Sequence, residues 1–139
     1  MASRLKAYLD LLQNLSPRTL DQLADLTSGE FEFKDPFNHT HTRDEFIAIL
    51  DDMYQKLGAV SFTIHSVMEN DSEAMIQWTF EASSKFTGPI HFQGMSHISL
   101  NDMGIVKSHI DYWDGSKLMQ TLPVLGKGIS FLRNKFAST

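Results

Sequence analysis

The spacing of apolar residues changes once along this chain and divides it into a helical part and a stranded part. Up to about Leu57 apolar positions recur every three or four residues; from Ala59 to Trp113 they recur mostly every two. Leu5, Tyr8, Leu9, Leu12 and Leu15 predict a first helix over residues 4–14. Ser16-Pro17 predicts a restart, because Ser caps helices and Pro suits the first helical position. Leu20, Leu23, Ala24 and Leu26 then form the apolar side of a second helix ending at Gly29. Residues 31–34 alternate as a short strand that Asp35-Pro36 stops, and residues 37–41 read as a polar loop. Thr42 with Glu45 is a capping box opening a third helix, whose stripe is Phe46, Ile47, Leu50, Met53, Tyr54 and Leu57; Gly58 is its expected stop. Strands are predicted at residues 60–68, 74–83, 90–100 and 105–113. Residues 116–136 carry a helical pattern broken by Pro123, Gly126 and Gly128.

Three N-terminal helices followed by a closely linked meander predict an α+β domain with a mostly antiparallel sheet. The helices must cover one sheet face. The other face also carries large apolar residues, as with Met75 beside Ile76, whereas a wet face would alternate more cleanly. A second copy packed on that outer face, giving a homodimer, follows as an expectation; scattered surface apolars are the plainer alternative.

A length of 139 residues suits one domain spanning 1–139. The net charge of −5 argues against nucleic-acid binding, which needs a basic surface. No apolar run approaches the roughly 18 residues of a membrane span. The first residues, MASRLKAYLDLL, read as an amphipathic helix rather than a leader. Cysteine is absent, which excludes disulfides, thiol nucleophiles and thiolate metal sites and suits a cytoplasmic location. The glycine-rich phosphate and dinucleotide loops and the serine-hydrolase elbow are missing, so no cofactor is expected.

The densest chemistry lies in His109-Ile110-Asp111-Tyr112-Trp113-Asp114. On a strand His109, Asp111 and Trp113 share one face, with neighbours roughly 6.6 Å apart, leaving room for a third group or a water between imidazole and carboxylate. Such an array can offer one proton donor and one acceptor to a bound molecule. The competing reading puts Ser108, Ile110 and Tyr112 in the core and leaves His109 and Asp111 in solvent. Asp35 ends a strand, where catalytic groups often sit, but Asp before Pro is also a common turn starter. Asn38, His39, His41 and Arg43 follow. His-x-His can hold a metal, yet no Cys, Glu or Asp stands at ligand spacing along the chain, so no metal is expected. Tyr8 is either a core tyrosine or a hydroxyl donor into a pocket.

The run Phe33-Lys34-Asp35-Pro36-Phe37-Asn38 and the run from Gly104 to Gly115 resemble the nuclear transport factor 2-like superfamily. Within it the chain resembles the SnoaL-like polyketide cyclases and the ketosteroid isomerases, in a bacterial branch. The resemblance covers about residues 5–115 and implies a cone-shaped curved sheet, its concave face covered by the helices. By the isomerase pattern Asp35 falls at the general base and Tyr8 at the oxyanion tyrosine. Ser96 stands where the isomerases carry a protonated carboxylic acid, and a serine hydroxyl is the weaker donor. The same resemblance makes His109, Asp111 and Trp113 pocket-facing, together with Ile76, Trp78, Phe80 and Ile98, and aligns Asp111 with the pocket carboxylate of the cyclases.

The expectation is a pocket for a small, largely apolar molecule. Asp111, His109, Asp35 and Tyr8 carry proton chemistry there, with Trp113, Trp78, Phe80, Ile76, Ser96, Ile98 and Asn38 lining it. The reaction would be a cofactor-independent isomerisation, cyclisation or hydration. The alternative is a non-catalytic ligand-binding or dimerising module of the same fold.

Overall fold

A computed structural model describes residues 3–85 and 88–116. The broken helix expected over residues 116–136 lies outside this range but for its first residue.

The first helix, α1 (Ser3–Gln13), buries Leu5, Tyr8, Leu9 and Leu12 of the expected stripe together with Leu11, while Leu15 lies beyond its end and is half-buried. The second helical segment is shorter than expected and is a 3-10 helix, Leu20–Asp25, whose N-cap is Thr19 rather than Ser16. Ser16 and Thr19 form a turn instead, with the Ser16 amide donating to Thr19 Oγ1 at 2.9 Å. Strand β1 (Thr27–Lys34) then claims residues that an α-helix would need. Gly29 therefore does not end a helix but lies inside β1, where the register to its neighbour shifts between Thr27 and Glu32.

Residues 37–41 are not all loop. His39–Thr40 form a two-residue strand, β2, antiparallel to β1, with Phe33 opposite Thr40 and Lys34 opposite His39. Helix α2 (Arg43–Lys56) starts at the predicted box: Thr42 Oγ1 accepts the Glu45 amide at 3.2 Å. Its C-cap is Leu57, and the left-handed residue beyond is Ala59 (φ 50°) rather than Gly58. Strands β3 (Gly58–Glu69), β4 (Glu73–Ser84), β5 (Gly88–Leu100) and β6 (Val106–Trp113) follow. Asn70 and Asn101 each bend a connection by accepting two backbone amides on Oδ1.

The sheet order is β2-β1-β6-β5-β4-β3. The last four strands form the expected antiparallel meander, and β1 joins β6 in parallel. The result is an α+β cone: a curved, unclosed, mostly antiparallel sheet with helices on its concave side.

That concave side has two zones. Under α1 it is packed solid, with Leu5, Tyr8, Phe31, Ile76, Ile98 and Val106 fully buried. Under α2 it is hollow. Phe46 is the one buried residue of α2, while Ile49, Leu50 and Tyr54 are half-buried, because this stripe overhangs a cavity instead of a core. On the convex face Met68, Met75, Met95 and Tyr112 are exposed.

Candidate functional site

Strand register decides which polar groups meet where the packed zone gives way to the hollow. Across the sheet Ile76 pairs with Ser96 and Ser96 with Asp111; one step on, Trp78 pairs with Gly94 and Gly94 with Trp113. Gly94 leaves the space in which the Trp78 indole lies: a Cβ there would come within 2.5 Å of Trp78 Cζ2. The indole then reaches back, and Trp78 Nε1 donates to Ser96 Oγ at 2.8 Å.

From Ser96 the hydrogen bonds run on without a gap. Ser96 Oγ is 2.5 Å from Asp111 Oδ1, and His109 Nε2 is 2.8 Å from the same oxygen. His109 Nδ1 is 2.7 Å from the Tyr8 hydroxyl. The direction of each bond follows from what a carboxylate can do, which is only accept. Ser96 and His109 Nε2–H therefore donate to Asp111, His109 Nδ1 bears the lone pair, and Tyr8 donates to it. Burial, reinforced by the negative charge of Asp111, pushes the Tyr8 pKa well above its ordinary value and keeps that proton in place. His109 and Asp111 touch directly; no third group separates them. Asp111 Oδ2 has no hydrogen-bond partner among the described residues.

Asp35 is at once the turn starter and a cavity residue. Its Oδ1 accepts the amides of Phe37 at 2.8 Å and Asn38 at 2.6 Å, and the Asn38 side-chain amide spans both oxygens. Burial raises the Asp35 pKa; the hydrogen bonds from Phe37 and Asn38 offset part of that rise, and the charge of Asp111 adds to it. Two carboxylates thus share one site, with Asp35 the one held toward its protonated form.

The cavity has a volume of about 540 Å³. Leu12 of α1 and Leu15 just beyond that helix close it on one side, Leu50 and Met53 from α2, and Phe62 and Phe80 from the sheet. Asp35, Asn38, His109 and Asp111 supply polarity in its wall, and Asp52 and Lys56 of α2 also border it. Phe92 stacks on Trp113 at a centroid distance of 4.3 Å, and Phe37 meets Trp113 edge-on at 5.6 Å.

Of the expected wall residues, Asp111, His109, Asp35, Asn38, Trp113, Trp78 and Phe80 do line this cavity. The solvated alternative for His109 fails: its side chain is 4 % exposed, and Tyr112 is the outward residue. Four expectations need correction. Ile76 and Ile98 face inward but lie wholly within the packed zone, and neither borders the hollow. Tyr8 and Ser96 do not border it either, and their hydroxyl protons are committed to His109 and Asp111 rather than free for an oxyanion. Gly94 and Phe92 went unremarked in the sequence. A glycine in the middle of a strand pattern was the available signal for the first, since it often marks close approach by another group.

The match to known proteins now has a geometry to explain. Residues 5–109 match the SnoaL-like domain family. No curated protein matches the chain. An NTF2-like protein from Burkholderia pseudomallei superposes with a TM-score of 0.75 at 11% identity, covering 88% of this chain and 98% of that one. An LEH-like epoxide hydrolase from M. tuberculosis gives 0.67 at 17% identity, covering 86% of each chain. A protein of ketosteroid isomerase-like fold from Catenulispora acidiphila, in complex with trimethylamine, gives 0.69 at 12% identity, covering 82% of this chain and 87% of that one. At these identities the structural likeness speaks for the fold, which hosts isomerases, cyclases and epoxide hydrolases. The family match spans well over half the sequence, and the chain belongs to the SnoaL-like domain family, on an NTF2-like cone.

Proposed function

We propose that the cavity binds a small, largely apolar molecule bearing a carbonyl, hydroxyl or epoxide, and that Asp111 and Asp35 exchange protons with it. One observation carries this reading. Asp111 has one oxygen fixed by two donors and the other without a partner among the described residues, at the wall of an apolar hollow. A carboxylate so placed is a rigid base, because its acceptor cannot turn away and little water competes for it. Asp35, with its pKa raised, is the matching acid. His109 orients Asp111 and stabilises its charge, and Tyr8 holds the imidazole in place by donating to its Nδ1. The reaction class is a cofactor-independent isomerisation, cyclisation or hydration. A cysteine-free chain acting on a diffusible apolar molecule suits the cytoplasm; no helix among the described residues is long and apolar enough to cross a membrane.

The test starts from a thermal-shift screen of apolar compounds bearing those groups. Asp111→Asn keeps the acceptor oxygen and should bind a hit while losing turnover by about 10²- to 10⁴-fold. Unchanged turnover in a folded Asp111→Asn protein removes Asp111 from the mechanism. Binding without turnover by the parent protein supports the non-catalytic module instead.

The convex face supports a second proposal. Met75 lies opposite Met68 and Met95 opposite Tyr112, so exposed apolar side chains sit in contiguous cross-strand pairs. A second copy of the chain covering this face would remove them from water. Light scattering should then give a dimer mass for the parent and a monomer mass for Met95→Glu.

A further inference from the structure

The pairing of β1 with β2 does something that the linear sequence conceals. His39 and His41 alternate along one strand direction and so share a face. The register that sets Phe33 against Thr40 and Lys34 against His39 brings Glu32 onto that face beside them. Glu32 Oε2 is 2.9 Å from His39 Nε2, and the two imidazole rings are 4.5 Å apart at their centroids. One donor atom from each of Glu32, His39 and His41 lies within 4.8 Å of the others. The carboxylate missing from ligand spacing along the chain is supplied from the neighbouring strand.

We infer that Glu32, His39 and His41 form a binding site for a divalent first-row transition cation, with zinc the best fit. The donor set decides the class. Two neutral imidazoles and one carboxylate suit zinc, nickel or copper, whereas calcium and magnesium need a shell of oxygens. A tetrahedral zinc with bonds of about 2.0–2.2 Å holds its donors roughly 3.4 Å apart, so side-chain rotation closes the observed spread. A three-ligand set leaves a fourth position for water or an exogenous donor. The cation would displace the proton now shared between His39 and Glu32. Lys34, opposite His39, is the neighbouring charge that opposes it; that side chain is exposed and its ammonium can extend into solvent. The His41 amide donates to Glu45 Oε1 at 3.2 Å, which anchors the second imidazole to the start of α2. The ligands come from both strands of the hairpin whose turn holds Asp35, so a bound cation would staple β1 to β2 just behind the cavity. The site does not depend on the reaction proposed for the cavity.

The experiment uses the full chain without an oligohistidine tag. Calorimetric titration with zinc should show one equivalent bound, with a rise in melting temperature that magnesium and calcium do not produce. Cobalt should give the intense visible bands of a four-coordinate nitrogen–oxygen site. Glu32→Gln, His39→Ala and His41→Ala should each weaken binding by at least about tenfold, since losing even an indirect support of a metal ligand costs that much. The double variant His91→Ala/His97→Ala removes imidazoles that pair with Glu81 and Glu73 elsewhere on the surface, and should bind as the parent does. Equal binding by the parent and His39→Ala, loss of binding in the double variant, or equal stabilisation by magnesium would each overturn the site.

Discussion

Tyr8 on the first helix and His109 on the last strand, 101 residues apart in sequence, share a buried hydrogen bond of 2.7 Å. That bond steadies the imidazole that donates to Asp111, and so connects the packing of α1 to the chemistry of the cavity wall. Tyr8→Phe keeps the ring and removes the donor. The imidazole is then left with a buried, unpaired nitrogen, at a cost of about 1–3 kcal/mol. Urea denaturation checks the loss. Nitrogen NMR of the histidines checks the tautomer, which the Asp111 carboxylate sets: Nε2–H in both proteins. A variant as stable as the parent shows that Asp111 alone orders the ring.

Gly94 and Trp78 are the second dependence. A methyl at Gly94 would meet the indole at 2.5 Å and the Trp113 Cβ at 3.0 Å. The indole must move, and its hydrogen bond to Ser96 goes with it. Gly94→Ala should cost about 1–3 kcal/mol, in the range of overpacked cores, and alter the fluorescence of the two tryptophans. Unaltered emission and stability would mean that the backbone yields there.

These two cases show what the sequence could and could not carry. Alternation placed His109, Asp111 and Trp113 on one face, but which face looked inward came from the family resemblance, not from the period. In the sequence Tyr8 reads as a core tyrosine or a donor into a pocket, and Ser96 as a donor to a ligand. Their true partners, His109 and Asp111, lie across the sheet or on another element, where only register reveals them. The two-residue β2 has no period to detect, and without it the proximity of Glu32 to His39 is invisible. The meander was legible because its turns carry Asn and Gly chemistry. The parallel join of β1 to β6 was not, because it brings together segments from opposite ends of the described chain.

Asp35 predicts a pH dependence whose sign is fixed. Its folded pKa lies above the ordinary 3.8, so the native state binds the proton more tightly than the unfolded state. Its contribution to stability is therefore complete below the unfolded value and is lost as pH rises through the raised folded value. Asp35→Asn keeps the Oδ1 acceptor for Phe37 and Asn38 and cannot ionise. The stability of the parent relative to Asp35→Asn should fall with rising pH across the acid range and then level. Asp35→Ala, which strands those two amides, should cost about 1–3 kcal/mol relative to Asp35→Asn at every pH. Denaturant midpoints of the three proteins, taken pH by pH, check both statements; a parent that gains on Asp35→Asn as pH rises would reverse the sign.

The boundary between the packed and hollow zones can be read with two enlargements. Leu50 borders the cavity and is half-buried, whereas Ile76 is fully buried in contact with the core. Leu50→Phe adds volume where there is room, so it should cost less than about 1 kcal/mol while reducing the space for a ligand. Ile76→Phe adds volume where there is none, and overpacking there should cost about 1–3 kcal/mol. Thermal denaturation separates the two, and titration with an apolar fluorescent dye reads the cavity: weaker dye binding is expected for Leu50→Phe, and unchanged binding for any Ile76→Phe that remains folded. Equal stability losses for the pair would mean that α2 sits down on the sheet in solution and that the hollow is already filled.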